Sequence, residues 1–340
     1  MLIQAANGDL YGTTSGGGAN SGGTVFQITP GGTLTTLYSF CAVSGCPDGS
    51  NPRGLMQGTN GNFYGTTLSG GLNGGGTVFS LSMEIPGTGP AVNAGGVLNS
   101  ASYATQGVAP GSIVSIFGTN LAAATAAASA IPLPTALSDV TSVTFNGTPA
   151  GLYFVSQNQI NAQLPFNLLP TGEGGAVNIV VSRSSGTSVA QNVVVTAASP
   201  GIFTTTANGL GQAFAYDNTT GALAALAGAP IGPFTTAPIS ISSGHALIIA
   251  CTGLGAVTPS IDNYVAASDG ILRSTLLQPT VLIGGVAAQP VYSVLSPQFV
   301  SEYQIGVVPD PLTPIGNAVP IQIQIGGVTT TDQVTIAVVP

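Results

Sequence analysis

One histidine, three cysteines and eleven carboxylates are all that this chain offers for acid–base, nucleophilic or metal chemistry. His245 stands in ISSGHALII, close to Ser243, and Asp217, Asp262 or Asp269 could complete a Ser-His-Asp set. No G-x-S-x-G elbow presents the serine. A histidine at a strand edge ordinarily serves as a solvated or hydrogen-bonded residue, so no catalytic residue is assigned. Two carboxylates flanking a glycosidic bond are conceivable. Most of the acids, however, sit in apparent turns (Asp9, Asp48, Asp217, Asp262, Asp269 and Asp310), where turn geometry alone explains Asp. Calcium is the metal that these loops could hold, because Asp48-Gly-Ser-Asn51 and Asp262-Asn263 supply hard oxygens. Neither has EF-hand or RTX spacing, and no cofactor is otherwise implied. Cys41 and Cys46 lie five residues apart in SFCAVSGCPDGSNP. They could close a local disulfide in an oxidising compartment, or hold a metal for which no second Cys/His pair exists. Cys251, inside ALIIACTGLG, reads as a buried free thiol.

The remaining chemistry is aromatic. Tyr11, Tyr64, Tyr103, Tyr153, Tyr264, Tyr292 and Phe234 could stack on sugar rings if exposed. There is no Trp, the residue with the largest flat face. Tyr11 and Tyr64 recur within a repeat and are expected to pack repeat cores. The run SGGGANSGG resembles a phosphate cradle only superficially: no Lys follows it and no helix pattern comes next. It reads as a flexible connection between strands.

Composition narrows the partners. Of 340 residues, 44% are hydrophobic and 4% charged, with net charge −8, three arginines and no lysine. A nucleic-acid partner needs clustered Lys and Arg, as does an anionic membrane surface. High hydrophobicity means that the chain can bury cores and fold. No apolar run reaches the ~18 residues of a membrane span, so no insertion is expected. Without lysines to guard its sheet edges, the protein tolerates or uses close contact with neighbours. Its oligomeric state is not legible.

These side chains must be positioned by short β-strands. Tyr11 recurs as Tyr64 and Phe26 as Phe79, a period of 53 residues. One repeat predicts strands near Leu2–Gln4, Leu10–Thr14, Thr24–Thr29 and Leu34–Phe40, as in a propeller blade, and the second predicts three strands through about Ser82. Asn7-Gly8 and Asn60-Gly61 mark tight hairpins. LIQAANGDLY aligns with LMQGTNGNFY, so the chain opens inside a repeat. Further sequence is expected upstream, and no signal peptide is visible. NGNFYGTTLSGGLNGGGTVFSLS resembles the Gloeo-Verruco (GloVer) tandem repeat of secreted bacterial proteins. That resemblance covers about residues 1–82.

Residues 83–92 of MEIPGTGPAVNAGG read as a Pro/Gly linker. Beyond it, NAVPIQIQIGG and QVTIAVV alternate apolar and polar residues, as strands with one wet face do. A diverged duplication runs through this half. SIFGTNLA parallels IIACTGLG, VTFNGTPA parallels VLIGGVAA, and QINAQLP parallels QIGVVP, at offsets of 133, 138 and 145 residues. The expected fold class is all-β: a propeller-blade-like repeat fragment over 1–82, then two Ig-like antiparallel β-sandwiches over 93–200 and 201–340. I(F/Y)GxxL, NGxPA and VSxxQINAxLP resemble IPT/TIG-type Ig-like domains. NSASY, VAPGSIVSIFGTNL, ASPGIF and TGLGAVTP together resemble the Solibacter-type C-terminal domain. That likeness implies an extracellular or cell-envelope module with no assigned reaction. The expectation is a non-catalytic secreted or cell-surface protein of structural or adhesive function, contacting an extracellular polymer, polysaccharide or protein surface. A polysaccharide-binding module and an accessory or anchoring region of a larger secreted enzyme are the alternatives.

Overall fold

The computed structural model describes residues 2–5, 8–58, 63–81, 89–169, 174–331 and 333–340. They form two compact units, residues 1–88 and 89–340. Every regular element among the described residues is a β-strand.

In the first unit, Leu2–Gln4, Leu10–Thr14, Thr24–Ile28 and Leu34–Ser39 pair in chain order as an antiparallel meander. Ser50–Gln57, Phe63–Ser69 and Val78–Leu81 repeat the first three strands. Gly8 takes the left-handed conformation expected of the first hairpin (φ 86°). Asn7 and the whole Asn60-Gly61 pair lie outside the described residues. The glycine-rich runs form the same hydrogen-bonded loop twice, which corrects their reading as flexible connections. At each stem two threonine hydroxyls meet, Thr14 with Thr24 at 2.8 Å and Thr67 with Thr77 at 3.0 Å. Across each loop an amide closes on a carbonyl, Gly23 on Gly17 and Gly76 on Gly70. The two sheets share one small core of Tyr11, Val25, Phe40, Leu55 and Phe63. The Tyr11 and Phe63 rings lie 4.5 Å apart. Tyr64 is half-buried instead, because the second repeat puts Phe63 inward where the first leaves Leu10 exposed.

In the second unit, one sheet of the first sandwich has the order Ala126–Ala127, Gly151–Val155, Gln159–Gln163, Ile113–Thr119, Ala91–Asn99. The facing sheet runs Thr148–Pro149, Val140–Phe145, Gly175–Arg183, with Gly186–Thr187 and Gln191–Val195 also pairing the last. Val114, Ile116 and Ile160 from one face meet Val143, Phe145 and Ile179 from the other. The second sandwich repeats this plan. Its Gln289–Leu295, Tyr303–Val308 and Leu247–Thr252 follow the order of Gly151–Val155, Gln159–Gln163 and Ile113–Thr119. Its Val286–Ala287, Thr280–Ile283 and Gly316–Ile325 follow Thr148–Pro149, Val140–Phe145 and Gly175–Arg183. Val319, Ile321, Ile323 and Ile325 are buried and Gln324 is exposed, as alternation demands. The strand Ala91–Asn99 begins inside the expected linker. It takes in Ala91 and Val92 of that linker, whose residues 83–88 lie outside the described residues, and its register shifts between Val92 and Val97, an irregularity at Asn-Ala-Gly-Gly.

Two glycines with similar backbone separate conformation from packing. Gly147 (φ 80°) turns the hairpin into open space, whereas a Cβ on Gly111 (φ 73°) would sit 1.9 Å from the Phe166 ring. Gly147→Ala is expected to cost about 1–2 kcal/mol for the left-handed backbone. Gly111→Ala is expected to add about 1–3 kcal/mol of overpacking. Urea unfolding of both variants checks this, and equal losses would contradict the packing role of Gly111.

Candidate functional site

Most of the residues with chemical potential are occupied structurally. Cys41 and Cys46 are joined in a disulfide with Cα atoms 4.3 Å apart. Both oxygens of Asp48 accept from the Cys41 amide, at 3.2 and 3.1 Å, and one accepts from the Tyr38 hydroxyl at 3.0 Å. Asn51 sits nearby in the chain with a left-handed backbone (φ 57°), and its buried Oδ1 has no protein partner. In the other unit, the Asn263 Oδ1 accepts from the Phe166 amide at 2.8 Å and its Nδ2 donates to Asn167 at 3.0 Å. Asp262 adds negative potential at Arg273. No cluster of three or more His, Cys, Asp or Glu forms among the described residues.

His245 does meet Asp217, Nδ1 to Oδ2 at 2.8 Å. Burial works to raise the Asp217 pKa, but the contact with His245 and the amides of Thr220 and Thr219 outweigh it and hold the carboxyl below its ordinary value. Ser243 faces elsewhere. Its hydroxyl donates to the Ser240 carbonyl at 2.9 Å and accepts from the His245 amide at 3.1 Å. The pair therefore pins the turn after Ala215–Asp217, and the structure does not bring a serine nucleophile to it.

The larger feature is a cleft in the second unit, with a volume of about 800 Å³. Its walls are the open faces of the two duplicated sheets. In the second sandwich, Ile249, Cys251, Tyr303 and Ile305 point into the core, so Ala250, Glu302 and Gln304 point into the cleft. Tyr216 joins them from the neighbouring strand, opposite Ile248. In the first sandwich, Ile160 and Ala162 point inward, so Asn161 faces the cleft. Tyr153 arrives there through a bulge between Leu152 and Phe154. Tyr103, Phe203, Phe214, Phe234 and Phe299 complete the aromatic lining. Phe214 and Phe234 meet edge to face, with centroids 5.5 Å apart. Phe234 and Phe299 are about half exposed, at 48% and 53%, so the lining includes accessible rings.

A set of polar contacts holds the two walls together. Gln163 is fully buried; its Nε2 donates to the Ser301 hydroxyl at 2.8 Å and its Oε1 accepts from the Tyr264 amide at 2.5 Å. The Ile113 amide donates to Thr252 Oγ1 at 3.0 Å, and that hydroxyl donates to the Ser301 carbonyl at 2.8 Å. Tyr153 donates its hydroxyl to the Val300 carbonyl. Leu133, Ala266 and Val300 pack beside these bonds with Tyr153 and Tyr264.

The cleft is nearly free of formal charge. Among the described residues, Glu302 is the one carboxylic acid in its lining, and no Lys, Arg or His lines it. Burial raises the Glu302 carboxyl above its ordinary range, against the opposing hydrogen bonds of Gln304 and Ser296. Arg183 and Arg273 are committed elsewhere, to Asp139 at 2.6 Å and Asp269 at 2.7 Å.

Of the aromatic residues singled out in the sequence, Tyr103, Tyr153 and Phe234 line the cleft. Tyr264 closes the joint between the sandwiches, Tyr292 packs over Gly306, and Tyr11 is core. Phe203, Phe214, Tyr216, Phe299, Glu302, Gln304 and Asn161 were missed. Strand alternation could have put Glu302, Gln304 and Asn161 on non-core faces. Nothing local says that the two faces meet.

Residues 1–112 match the model of the Gloeobacter/Verrucomicrobia repeat, and residues 99–197 match that of the IPT/TIG domain. No curated protein matches the chain. Similar solved structures include SGBP-B of the Bacteroides ovatus mixed-linkage glucan utilization locus, in complex with mixed-linkage heptasaccharide. It is 14% identical, with TM-score 0.31, over 99% of this chain and 63% of that one. The full extracellular region of plexin A4 is 11% identical, with TM-score 0.26, over 93% and 22%. The I9–I11 tandem of titin is 10% identical, with TM-score 0.20, over 100% and 98%. The chain spans less than two thirds of the first two proteins. Overlaps this shallow carry no functional argument.

Gln163→Leu would orphan the Ser301 hydroxyl and the Tyr264 amide. It is expected to cost about 2–4 kcal/mol in urea unfolding, and a loss within ~0.5 kcal/mol would refute the joint. Glu302 gives a pH signature. A carboxyl whose pKa is raised on folding costs nothing while both states are protonated. It penalises the native state as pH rises through the unfolded value of about 4.3. Glu302→Gln removes that penalty, so its Tm gain over the parent is expected to be larger at pH 7 than at pH 3. A pH-independent difference would contradict the assignment.

Proposed function

We propose that this chain is a non-catalytic binding module acting outside the cell, in a secreted or surface-displayed adhesive role, and that it holds its partner in the cleft of residues 89–340. The observation that carries this reading is the cleft itself: aromatic faces and side-chain amides from two sandwiches, set on a joint of buried hydrogen bonds. Sites for extended or small ligands take this form, largely apolar with a few placed polar groups. An extracellular setting is supported by the Cys41–Cys46 disulfide and by the absence of lysine. The non-catalytic reading is supported by the single carboxyl that the described residues bring to the cleft, since glycoside hydrolysis ordinarily uses two. It is also supported by Ser243, which turns away from the His245–Asp217 pair.

The test is retention of the purified chain on immobilised extracellular polymers, both polysaccharides and matrix proteins. The parent is expected to bind saturably to at least one polymer. The double variant Phe214→Ala/Tyr216→Ala is expected to bind about tenfold more weakly or worse, given the ~0.5–1.5 kcal/mol worth of an aromatic contact. Equal retention of the two proteins, or none on any polymer, would overturn the reading.

A further inference from the structure

Resting on that reading, we propose that the cleft is a subsite for an uncharged sugar chain, laid across the open faces of both sandwiches. Three features of the lining select this ligand class over its competitors.

The first is charge. No cationic side chain lines the cleft, two of the three arginines are held in ion pairs, and the protein carries net charge −8. A phosphate, sulfate or uronate would lose its hydration and find no counter-charge. A cationic ligand would find one carboxyl among the described lining residues, Glu302.

The second is the mixture of faces and edges. Tyr216, Phe214 and Tyr103 offer apolar rings. Between them Asn161, Gln304 and Glu302 offer amide and carboxyl groups, with the Gln304 Nε2 donating to Glu302 at 3.4 Å. Asn161 already accepts through Oδ1 from Ser115 at 3.1 Å and from Gln159 at 2.8 Å, which turns its amide nitrogen into the group left for a ligand. A wholly aliphatic ligand would cover these polar groups without pairing them, at a cost for each. A pyranose ring has C–H faces to lie on the aromatic rings and hydroxyls at its edge for the amides.

The third is the backbone. Leu247–Thr252, Tyr303–Val308 and Gln159–Gln163 are interior strands, paired on both sides. Their amides and carbonyls are spent within the sheets. An extended peptide recognised by strand addition needs a free edge. Over these three strands a ligand meets side chains, as a sugar chain can. The volume of about 800 Å³ falls within the ~300–1,000 Å³ of small-ligand sites, so it takes a short run of the polymer.

The experiment is affinity electrophoresis of the full chain in gels containing neutral polymers (mixed-linkage β-glucan, xyloglucan, glucomannan, starch) or charged ones (polygalacturonate, alginate, hyaluronan). Tyrosine fluorescence titration with the corresponding oligosaccharides follows, since the chain has no Trp to mask it. At least one neutral glycan is expected to retard the protein. Its Kd should change less than twofold between 50 and 500 mM salt, because no charge pair is screened. Tyr216→Ala should weaken it about tenfold, in line with one lost aromatic platform. Tyr216→Phe, which keeps the ring and the fold, should stay within twofold to threefold of the parent. Binding only to charged polymers, or only to matrix proteins with loss in the Phe214→Ala/Tyr216→Ala variant, would retire the neutral-glycan ligand and leave the binding module standing. Binding to nothing would retire both. Neutral-glycan binding indifferent to Tyr216→Ala would move the site elsewhere and overturn the inference.

Discussion

The joint around Gln163 is the constraint on which the second unit depends. A fully buried amide side chain is expensive unless each of its groups finds a partner. Gln163 finds one in Ser301, from the second sandwich, and one in the backbone of Tyr264, from a loop that the second sandwich sends across. Neither sandwich can satisfy Gln163 by itself. The Thr252 hydroxyl couples in the same way, accepting from Ile113 in one sandwich and donating to Ser301 in the other. These bonds are directional as well as favourable, so they fix the angle between two sheets that apolar contact alone would leave free to slide. The cleft inherits its shape from that angle.

One strand register serves two purposes. In Tyr303–Val308, Tyr303, Ile305 and Val307 build a core while Gln304 faces the cleft. In Gln159–Gln163, Ile160 and Ala162 build the other core while Asn161 faces the same cleft. These strands are counterparts in the duplication, so equivalent faces of two related sheets form opposite sides of one site. A one-residue slip in either strand would bury the amides and expose the core.

The first unit shows a different economy. Its two sheets repeat the same loop stems, with paired threonine hydroxyls and a glycine amide closing each turn. Hydrogen bonding is conserved between the copies while burial is not. Leu10 is exposed where Phe63 is core, and Tyr11 is core where Tyr64 is half-buried. Two small sheets share one core, and there Tyr11 meets Phe63 from unlike positions of the repeat, beside a second cross-sheet pair of Phe40 and Phe79.

By itself the sequence determined the local and periodic features. Alternation such as that of Val319, Ile321, Ile323 and Ile325 reports which face is buried, because side chains in a strand alternate by geometry. The 53-residue period and the three parallel motifs of the second half announced the repeats and the duplication, since each motif carries its own strand and turn. Tyr103, Tyr153 and Phe234 were legible as candidate ring platforms from residue type. The start of Ala91–Asn99 inside the expected linker was hidden by composition: its Asn-Ala-Gly-Gly run carries no alternation, and the register shift that absorbs it needs Ile113–Thr119 alongside. What the tertiary structure alone decided is the meeting of the two sandwiches. Asn161 and Gln304 are separated by more than a hundred residues, and no local pattern encodes the orientation that makes them neighbours in one cleft. That orientation is set by a few buried side chains satisfying one another across the joint, which is a property of pairs and is not written in either strand.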